Sequence, residues 1–458
     1  MTLESHRVRQ SAGRVFMATV MAVAIAWSNP VFTQEIADGV NCEDNICTVK
    51  GSFTADVEFT SDNEYRLIGA VFIEEPAILE IEAGTTIYGD SATNGTLVIA
   101  QGAEIHAHGT ADAPIVMTSD QLDGERARGD WGGLIINGRA PLNIEGGEAE
   151  GEGDTGTYGG DDPEDSSGIL EYVRVEFAGT EFSPDNELNG IAFQGVGSGT
   201  TVDHIMVKYN KDDGVEFFGG TVEAKHVICF GIADDSFDWT DGWTGKGQFW
   251  LAIQSSDDAD NGFESDNNGD NNNLEPRSNP TIYNVTLIGD PDTDEGNESD
   301  IGMLLREGTA GTIRNFIVTG FKEDAIDIDH DATFTQALDG HLTLASGILW
   351  DNCSVDGCTG EYRTDEDDMA ATYPTRDIVT DSPFVFVIDP ELADPFNLES
   401  PDPTPSDDSP AVTGYVRAAL PPHDGFFETT DFIGAVGPES DDNTHDDWWT
   451  GWTDFSAN

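Results

Sequence analysis

Apolar and polar positions alternate in short runs between Val202 and Asn267, and the same pattern occurs three times. The stretches read VDHIMVKYNKDDGVEFFGG, AKHVICFGIADDSFDWTDGWTGK and QFWLAIQSSDDADNGFESDN. Each opens with a run whose alternate residues are apolar: Ile205 and Val207, Val227 and Cys229, Leu251 and Ile253. Each then turns through an acidic pair, Asp212-Asp213, Asp234-Asp235 and Asp260-Asn261. Each resumes as a second short run, Val215-Glu216-Phe217, Phe237-Asp238-Trp239 and Phe263-Glu264-Ser265. A period of two predicts strands, and two strands per repeat with no helical period predict stacked coils. One such unit cannot bury its apolar side alone, whereas a stack can.

The pattern therefore predicts an all-β chain: a right-handed parallel β-helix, or solenoid, with N- and C-terminal caps, the hand following from the crossover rule for parallel strands. Equivalent residues then lie above one another at about 4.8 Å. Glu216, Asp238 and Glu264 form one outward column, because their neighbours Val215, Phe217, Phe237, Trp239 and Phe263 point inward. Asp213, Asp235 and Asn261 form a second. Taking Tyr172, His204, His226, Trp250, Asn284 and Asn315 as a further column keeps the apolar positions in register across the flanking units.

Extra length falls in the acidic turn of the rungs on either side, between Val175 and Ile191 and between Leu287 and Ile301. Two long loops should thus bracket the three acidic rungs, a floor with two walls. Residues 267–280 insert at the opposite turn, and residues 141–168, rich in Gly and acid, read as a surface loop.

The organisation expected is a signal peptide over 1–26, an N-terminal cap over 27–64, the β-helix over 65–350, and an irregular C-terminal region with a cap over 351–458. The first assignment rests on Arg7, Arg9 and Arg14, the apolar run 15–26 and the small residues Ala24 and Ala26. The run is too short to span a bilayer and no later run is long enough, so no membrane span is expected.

Charge narrows the partners. The 458 residues carry a formal charge of −68. Such a chain is repelled by nucleic acid and by anionic membranes, and suits a salty exterior. Cys42 and Cys47, and Cys353 and Cys358, sit in polar turns at equal spacing, and each pair is expected to close a disulfide. Both features place the protein outside the cytoplasm: secreted, extracellular or at the cell surface, with the periplasm as the alternative. Cys229 reads as a buried filler.

The acidic columns carry the candidate chemistry. Like charges about 5 Å apart repel by roughly 0.8 kcal/mol in water and about 3 kcal/mol at an effective dielectric of 20. Stacked acids must therefore hold protons or cations, unless they are only part of an acidic surface. Asp212, Asp213, Glu216, Asp234, Asp235, Asp238 and Glu264 offer hard oxygen ligands, which suit Ca²⁺. Trp243, Trp449 and Trp452 lie among Asp, Gly and Thr and are the glycan-stacking candidates, with cap packing as the rival reading. His204 and His226 lack a third ligand in their own column and read as a hydrogen-bonded stack.

The motifs GTADAPIVMTS (109–119), GDWGGLIINGRAPLN (129–143), YNKDDGVEFFGGTVEAKH (209–226), DDSFDWTDGWTGK (234–246) and the terminal WWTGWTDF resemble a secreted bacterial right-handed parallel β-helix family of uncharacterised function, with a pectin-lyase-like fold. The resemblance covers nearly all of the chain after residue 26. More distantly, the chain resembles polygalacturonase-type glycosidases of that fold. There, an Asp-Gly turn and an Asp-Asp turn on the next rung supply three catalytic acids, which implies Asp213, Asp234 and Asp235 here. The following His-Gly is Asn261-Gly262 in this chain, and no Arg-x-Lys occurs at 301–306. The expected function is a non-catalytic β-helix that binds divalent cations and a polysaccharide or cell-surface glycan. The alternative is a polysaccharide hydrolase or lyase. A lyase needs Arg or Lys as base, and Arg174, Lys208, Lys225, Arg306 and Lys322 are the candidates near the acidic rungs.

Overall fold

The computed structural model describes residues 39–458 apart from 184–185, 256, 292–297, 355–359, 364–374, 376–383 and 440–444. The expected signal peptide therefore lies outside the described residues, as does Cys358.

The predicted strands form and pair in parallel. Long strands Gly168–Glu176, Thr201–Lys208, Glu223–Phe230, Lys246–Ile253, Thr281–Ile288, Gly311–Thr319 and Leu342–Trp350 stack in order. Short strands Ile191–Gln194, Val215–Phe218, Phe237–Thr240, Phe263–Ser265, Ile301–Leu305 and Asp324–Ile328 stack beside them. Every long strand bends at one residue of left-handed conformation: Tyr172, His204, His226, Phe249, Asn284, Asn315 or Ser346, with φ from 51° to 60°. That conformation is unfavourable for a residue with a Cβ, so the packed stack must hold it in place. The bend divides each long strand between two walls of the coil. The short strand supplies the third.

The interior is a continuous apolar column. Ile205, Val227, Trp250, Val285 and Phe316 occupy one inward position on successive rungs, all fully buried. Each such side chain contributes about 1.5–3 kcal/mol by leaving water. This register corrects the expected one. Trp250 is an interior residue, and Phe249 takes its place in the column of Tyr172 and the two histidines. Leu251 and Ile253 consequently face outward, as do Ile228 and Phe230. A slip of one residue exchanges the two faces of a strand.

The slip has a physical source. The outer face of these strands is also apolar, because the C-terminal region packs along it. Phe432, Ala435, Val436, Trp448 and Trp452 cover Met206, Ile228, Phe230, Leu251, Ile253 and Ile288. Ala411, Val416 and Ile433 cover Ile317 and Ile348. With both faces buried, alternation vanishes from QFWLAI.

The ends also depart from expectation. An antiparallel hairpin, Val40–Glu43 with Ile46–Phe53, carries the expected Cys42–Cys47 disulfide. Ile46–Phe53 already pairs in parallel with Glu64–Ile73, so the coil begins ahead of residue 65. At the other end Val385–Val387 adds a parallel strand to Leu342–Trp350, beyond residue 350. Cys353 is in a disulfide and Cys229 is free and buried. Residues 141–168 are not merely surface loop. They contain the hairpin Glu148–Glu150 with Thr157–Gly159, and Tyr158 packs against Phe218. Among the described residues no helix is long and apolar enough to cross a membrane.

Candidate functional site

Both acidic columns form. Ala192, Glu216, Asp238, Glu264 and Leu304 are in register on successive short strands. Asn189, Asp213, Asp235 and Asn261 stack in the preceding turn. There the N–H of Gly190 bonds Asp213, that of Gly214 bonds Asp235, and that of Ser236 bonds Asn261, each to the backbone oxygen. Glycine is required at this corner. A Cβ on Gly214 would lie 2.7 Å from Cys229 Sγ and 2.6 Å from the Ser236 oxygen, and one on Gly302 would lie 2.2 Å from Val318 Cγ1. The close approach draws the acidic turns tightly onto one another.

The ladder has an inner and an outer layer. Asp213, Glu216, Asp235 and Asp238 are 7, 7, 3 and 8% exposed, although they were expected on an open outer face. Asp212, Asp234, Asp260 and Glu264 are half-buried. Oxygens of Asp212, Asp213 and Asp234 lie within 4.8 Å of one another, as do those of Asp213, Glu216 and Asp238, and of Asp234, Asp235 and Asp260. Six of the seven residues named for Ca²⁺ are thus brought together, with Asp260 beside them; Glu264 is in strand register with Asp238 but joins none of the three groups.

Some of their oxygens have structural partners. Asp213 Oδ1 accepts from the Asp235 N–H at 3.1 Å, and Asp235 Oδ1 from the Asn261 N–H at 2.6 Å. Glu216 Oε2 accepts from Asn189 Nδ2 at 2.5 Å. Others have none among the described residues: Asp238 Oδ1, Asn189 Oδ1 and Asn261 Oδ1 are sealed from solvent and accept no hydrogen bond from them. A buried acceptor left unmade costs about 1–3 kcal/mol, and more for a charged group.

Burial sets the electrostatics. It holds the carboxyls of Asp213, Glu216, Asp235 and Asp238 well above the ordinary range, with neighbouring carboxylates adding to the effect. Burial first, then nearby acids, push Asp212 and Asp234 up to about 7. Glu264 rises to about 8 through burial, against the opposing pull of Arg306.

The walls are themselves acidic. Glu152, in the hairpin region of 148–159, is raised to about 7 by burial and by Glu187. Glu187, in the hairpin of the long loop on one side, acts on Asp212 and Asp234. Lys211 pins that loop through Glu181 at 2.7 Å and Glu187 at 3.4 Å. On the other side Ser299 and Asp300 bond the Ala259 and Asp260 carbonyls, and Asp300 is raised to about 6 by burial, then by Glu323 and Asp260. The described residues of both expected loops therefore flank the ladder. Glu152, Glu187 and Asn189 belong to it but lie outside the repeating unit, where no periodic signal points to them. Asp260 stood in the acidic pair of the third repeat.

Arg306 changes the assignment of bases. Its Nη2 lies 2.6 Å from Glu264 Oε2 and its Nε 2.9 Å from Asp266 Oδ1, so a cation does stand on the ladder. Arg174, Lys208 and Lys225 instead hold the C-terminal region, through the Trp452 oxygen, Asp454 and Glu428 respectively.

Two glycan candidates are corrected. Trp243 is fully buried in the coil, stacked at 4.2 Å on Phe217, with Nε1 bonded to the Val222 oxygen. Trp452 is buried against the long strands, its Nε1 bonded to the Trp448 oxygen. Neither ring offers a face to a sugar, because the interior and the C-terminal seam need large rings to fill them. Trp449 remains half-buried.

Among known families, one described as a pectate-lyase like beta helix domain matches residues 51–377, well over half of the chain. Neither the curated proteins nor the solved structures contain a match.

Proposed function

The chain belongs to the family of pectate-lyase-like β-helix domains, and from that premise we propose an exported polysaccharide-binding β-helix that holds divalent cations, Ca²⁺ foremost, on its carboxylate ladder. The observation that carries the reading is the set of buried oxygens without a hydrogen bond, Asp238 Oδ1 above all, inside a nest of carboxylates. The donors are all oxygen, which suits a hard cation and not zinc. Asp213, Glu216 and Asp238 would hold one ion, and Asp212 and Asp234 lie at the half-buried rim where a ligand can approach. A chain of charge −68 repels an acidic polysaccharide, so a bound cation is what would let such a polymer approach. A bound ion would supply positive charge to the rim, and the protein supplies the oxygen frame.

A second reading, glycoside hydrolysis, is favoured by one observation. Asp212 and Asp234 share a hydrogen bond, and burial with neighbouring acids raises both to about 7, so the pair can exchange a proton near neutral pH. Asp213 and Asp235, the acids the resemblance implied alongside Asp234, each spend an oxygen on the next turn. Calorimetric titration with Ca²⁺, followed by retention on an acidic and a neutral polysaccharide with and without chelator, tests the first reading. Ca²⁺ binding with chelator-sensitive retention on the acidic polymer supports it. No heat of binding at millimolar Ca²⁺ overturns it. Release of reducing ends, lost in Asp234→Asn, would establish the second.

A further inference from the structure

A second group of titratable side chains lies where the long strands bend, away from the carboxylate ladder. Tyr172, His204, His226 and Phe249 stack on successive rungs with ring centroids 4.3, 4.2 and 5.0 Å apart. His445, from the C-terminal region, closes the stack on Phe249 at 4.8 Å. His204 and His226 both point Nδ1 at one atom, Asp203 Oδ1, at 2.7 and 2.6 Å. A nitrogen of each ring and an Asp203 oxygen lie within 4.8 Å of one another, and Asp203 Oδ1 stands at hydrogen-bond distance from both rings, the geometry of a shared acceptor. The C-terminal Trp448 lies 5.0 Å from His226, and Trp452 lies 5.8 Å from His204. A cavity of about 420 Å³ is lined by Tyr172, His204, His226 and His445 together with Glu428 and Asp447.

We propose that the C-terminal region bearing His445, Trp448 and Trp452 is a strap that stays docked on the coil while the imidazole stack is neutral and detaches when the stack is protonated. Among the described residues, the charged groups around the stack are Asp203, Glu428, Asp446, Asp447, Lys225 and Arg174, the last also paired with Glu176 at 3.0 Å. Asp203 provides one oxygen for two imidazoles. Glu428 lies 3.8 Å from His445 Nε2, but it is already paired with Lys225 at 2.9 Å. Asp446 also acts on His445. Arg174 bonds the Trp452 oxygen and adds positive charge. One carboxylate can balance one imidazolium, and a second charge would sit on a ring 4.2 Å away.

Burial, the largest influence, depresses His226 and His445 below the ordinary imidazole value. In the detached form both would meet water and return toward about 6.5. Below that value the detached form binds more protons, so acid favours detachment. Each pH unit over which one proton distinguishes the forms shifts their ratio about tenfold. Detachment would bare the outward stripe of Met206, Ile228, Phe230, Leu251 and Ile253.

Hydrogen exchange read by mass spectrometry on the full chain from pH 8 to 5, corrected for intrinsic exchange, tests the strap. Peptides over residues 445–456 should lose at least tenfold in protection as pH falls through 6.5, while those over 223–230 keep theirs. His226→Gln/His445→Gln should retain strap protection at pH 5. Asp203→Asn, which removes the shared carboxylate, should move the loss to higher pH and covers the case in which the double variant fails to fold. Equal strap protection at pH 8 and 5 in the wild type overturns the proposal, as does the same loss in the double variant or an unmoved midpoint in Asp203→Asn.

Discussion

Glu216 and Asp238 stand in register on adjacent parallel strands, both buried. The nearest arginine on the ladder, Arg306, is committed to Glu264 and Asp266 instead. Two carboxyls at strand spacing in a poorly hydrated site must share protons or a cation. That relationship fixes the first expectation. Without divalent ions, Glu216→Gln/Asp238→Asn should be more stable than wild type, by about 1–4 kcal/mol, since neutral isosteres remove the repulsion. With millimolar Ca²⁺ at matched ionic strength the wild type should gain stability by mass action and the double variant should not. Melting temperatures in Ca²⁺ against Na⁺ decide it, and an equal rise in both proteins would mean general screening.

Stability should also depend on pH in a particular direction. The ladder carboxyls titrate higher in the folded chain than in the unfolded one, at about 7 for Asp212 and Asp234 and about 8 for Glu264. The folded state therefore binds more protons between about pH 4 and 8, and their contribution is complete below the unfolded values and lost as pH rises through the folded ones. In chelator, urea midpoints should fall from pH 5.5 to 8.5. Saturating Ca²⁺ should flatten that slope, because the ion replaces the protons. A midpoint that rises with pH in chelator would contradict the assigned burial.

Arg306→Gln should destabilise the chain by about 1–3 kcal/mol, a value kept low because the guanidinium is partly exposed. Asp266, which is buried, loses its partner and its carboxyl should shift further upward. Chemical denaturation at pH 7 gives the first quantity. Denaturation at pH 5, where Asp266 is protonated in the variant, should show a smaller loss.

Trp243→Ala should cost about 3–5 kcal/mol, the penalty for emptying a core aromatic site. Polysaccharide retention by the fraction that stays folded should be unchanged. Trp449→Ala should alter stability by less than about 1 kcal/mol. If Trp449 carries sugar contact, that variant alone loses retention, as affinity electrophoresis on folded protein would reveal.

The coil was legible in the sequence because its residues answer to one face at a time. Val215, Phe217 and Phe237 point in, Glu216 and Asp238 point out, and the register of the short strands follows. The reading failed where a second layer covers the outside. Leu251 and Ile253 looked like core, but their inward-facing neighbours Trp250 and Ala252 are just as apolar, so nothing local separates the faces. The same covering explains Trp452, which looked like a surface platform. Glu216 and Asp238 are legible as members of one outward column with Glu264, but Glu152, whose charge acts on Glu216, arrives from a loop without a repeat. Arg306 is legible only as one of five candidate bases, because it does not lie on the acidic turns. It enters the site from the next short strand, whose side chains continue the column beyond Glu264.

The outward column of the short strands reads Phe72, Val98, Ile135, Ala192, Glu216, Asp238, Glu264, Leu304 and Asp327. Each rung writes one character of that string, and its short strand pairs only with the short strands beside it. The length of the acidic word is therefore adjustable without rewriting the other short strands, although the C-terminal region that spans the outer face must lengthen with it. Duplicating the segment 213–234 would insert one more Glu between rungs already adapted to neighbours of the same kind. Deleting it would shorten the word by one. A compact globular core offers no such edit, since every residue there answers to many others at once. The number of acids in the ladder is thus a countable, heritable length.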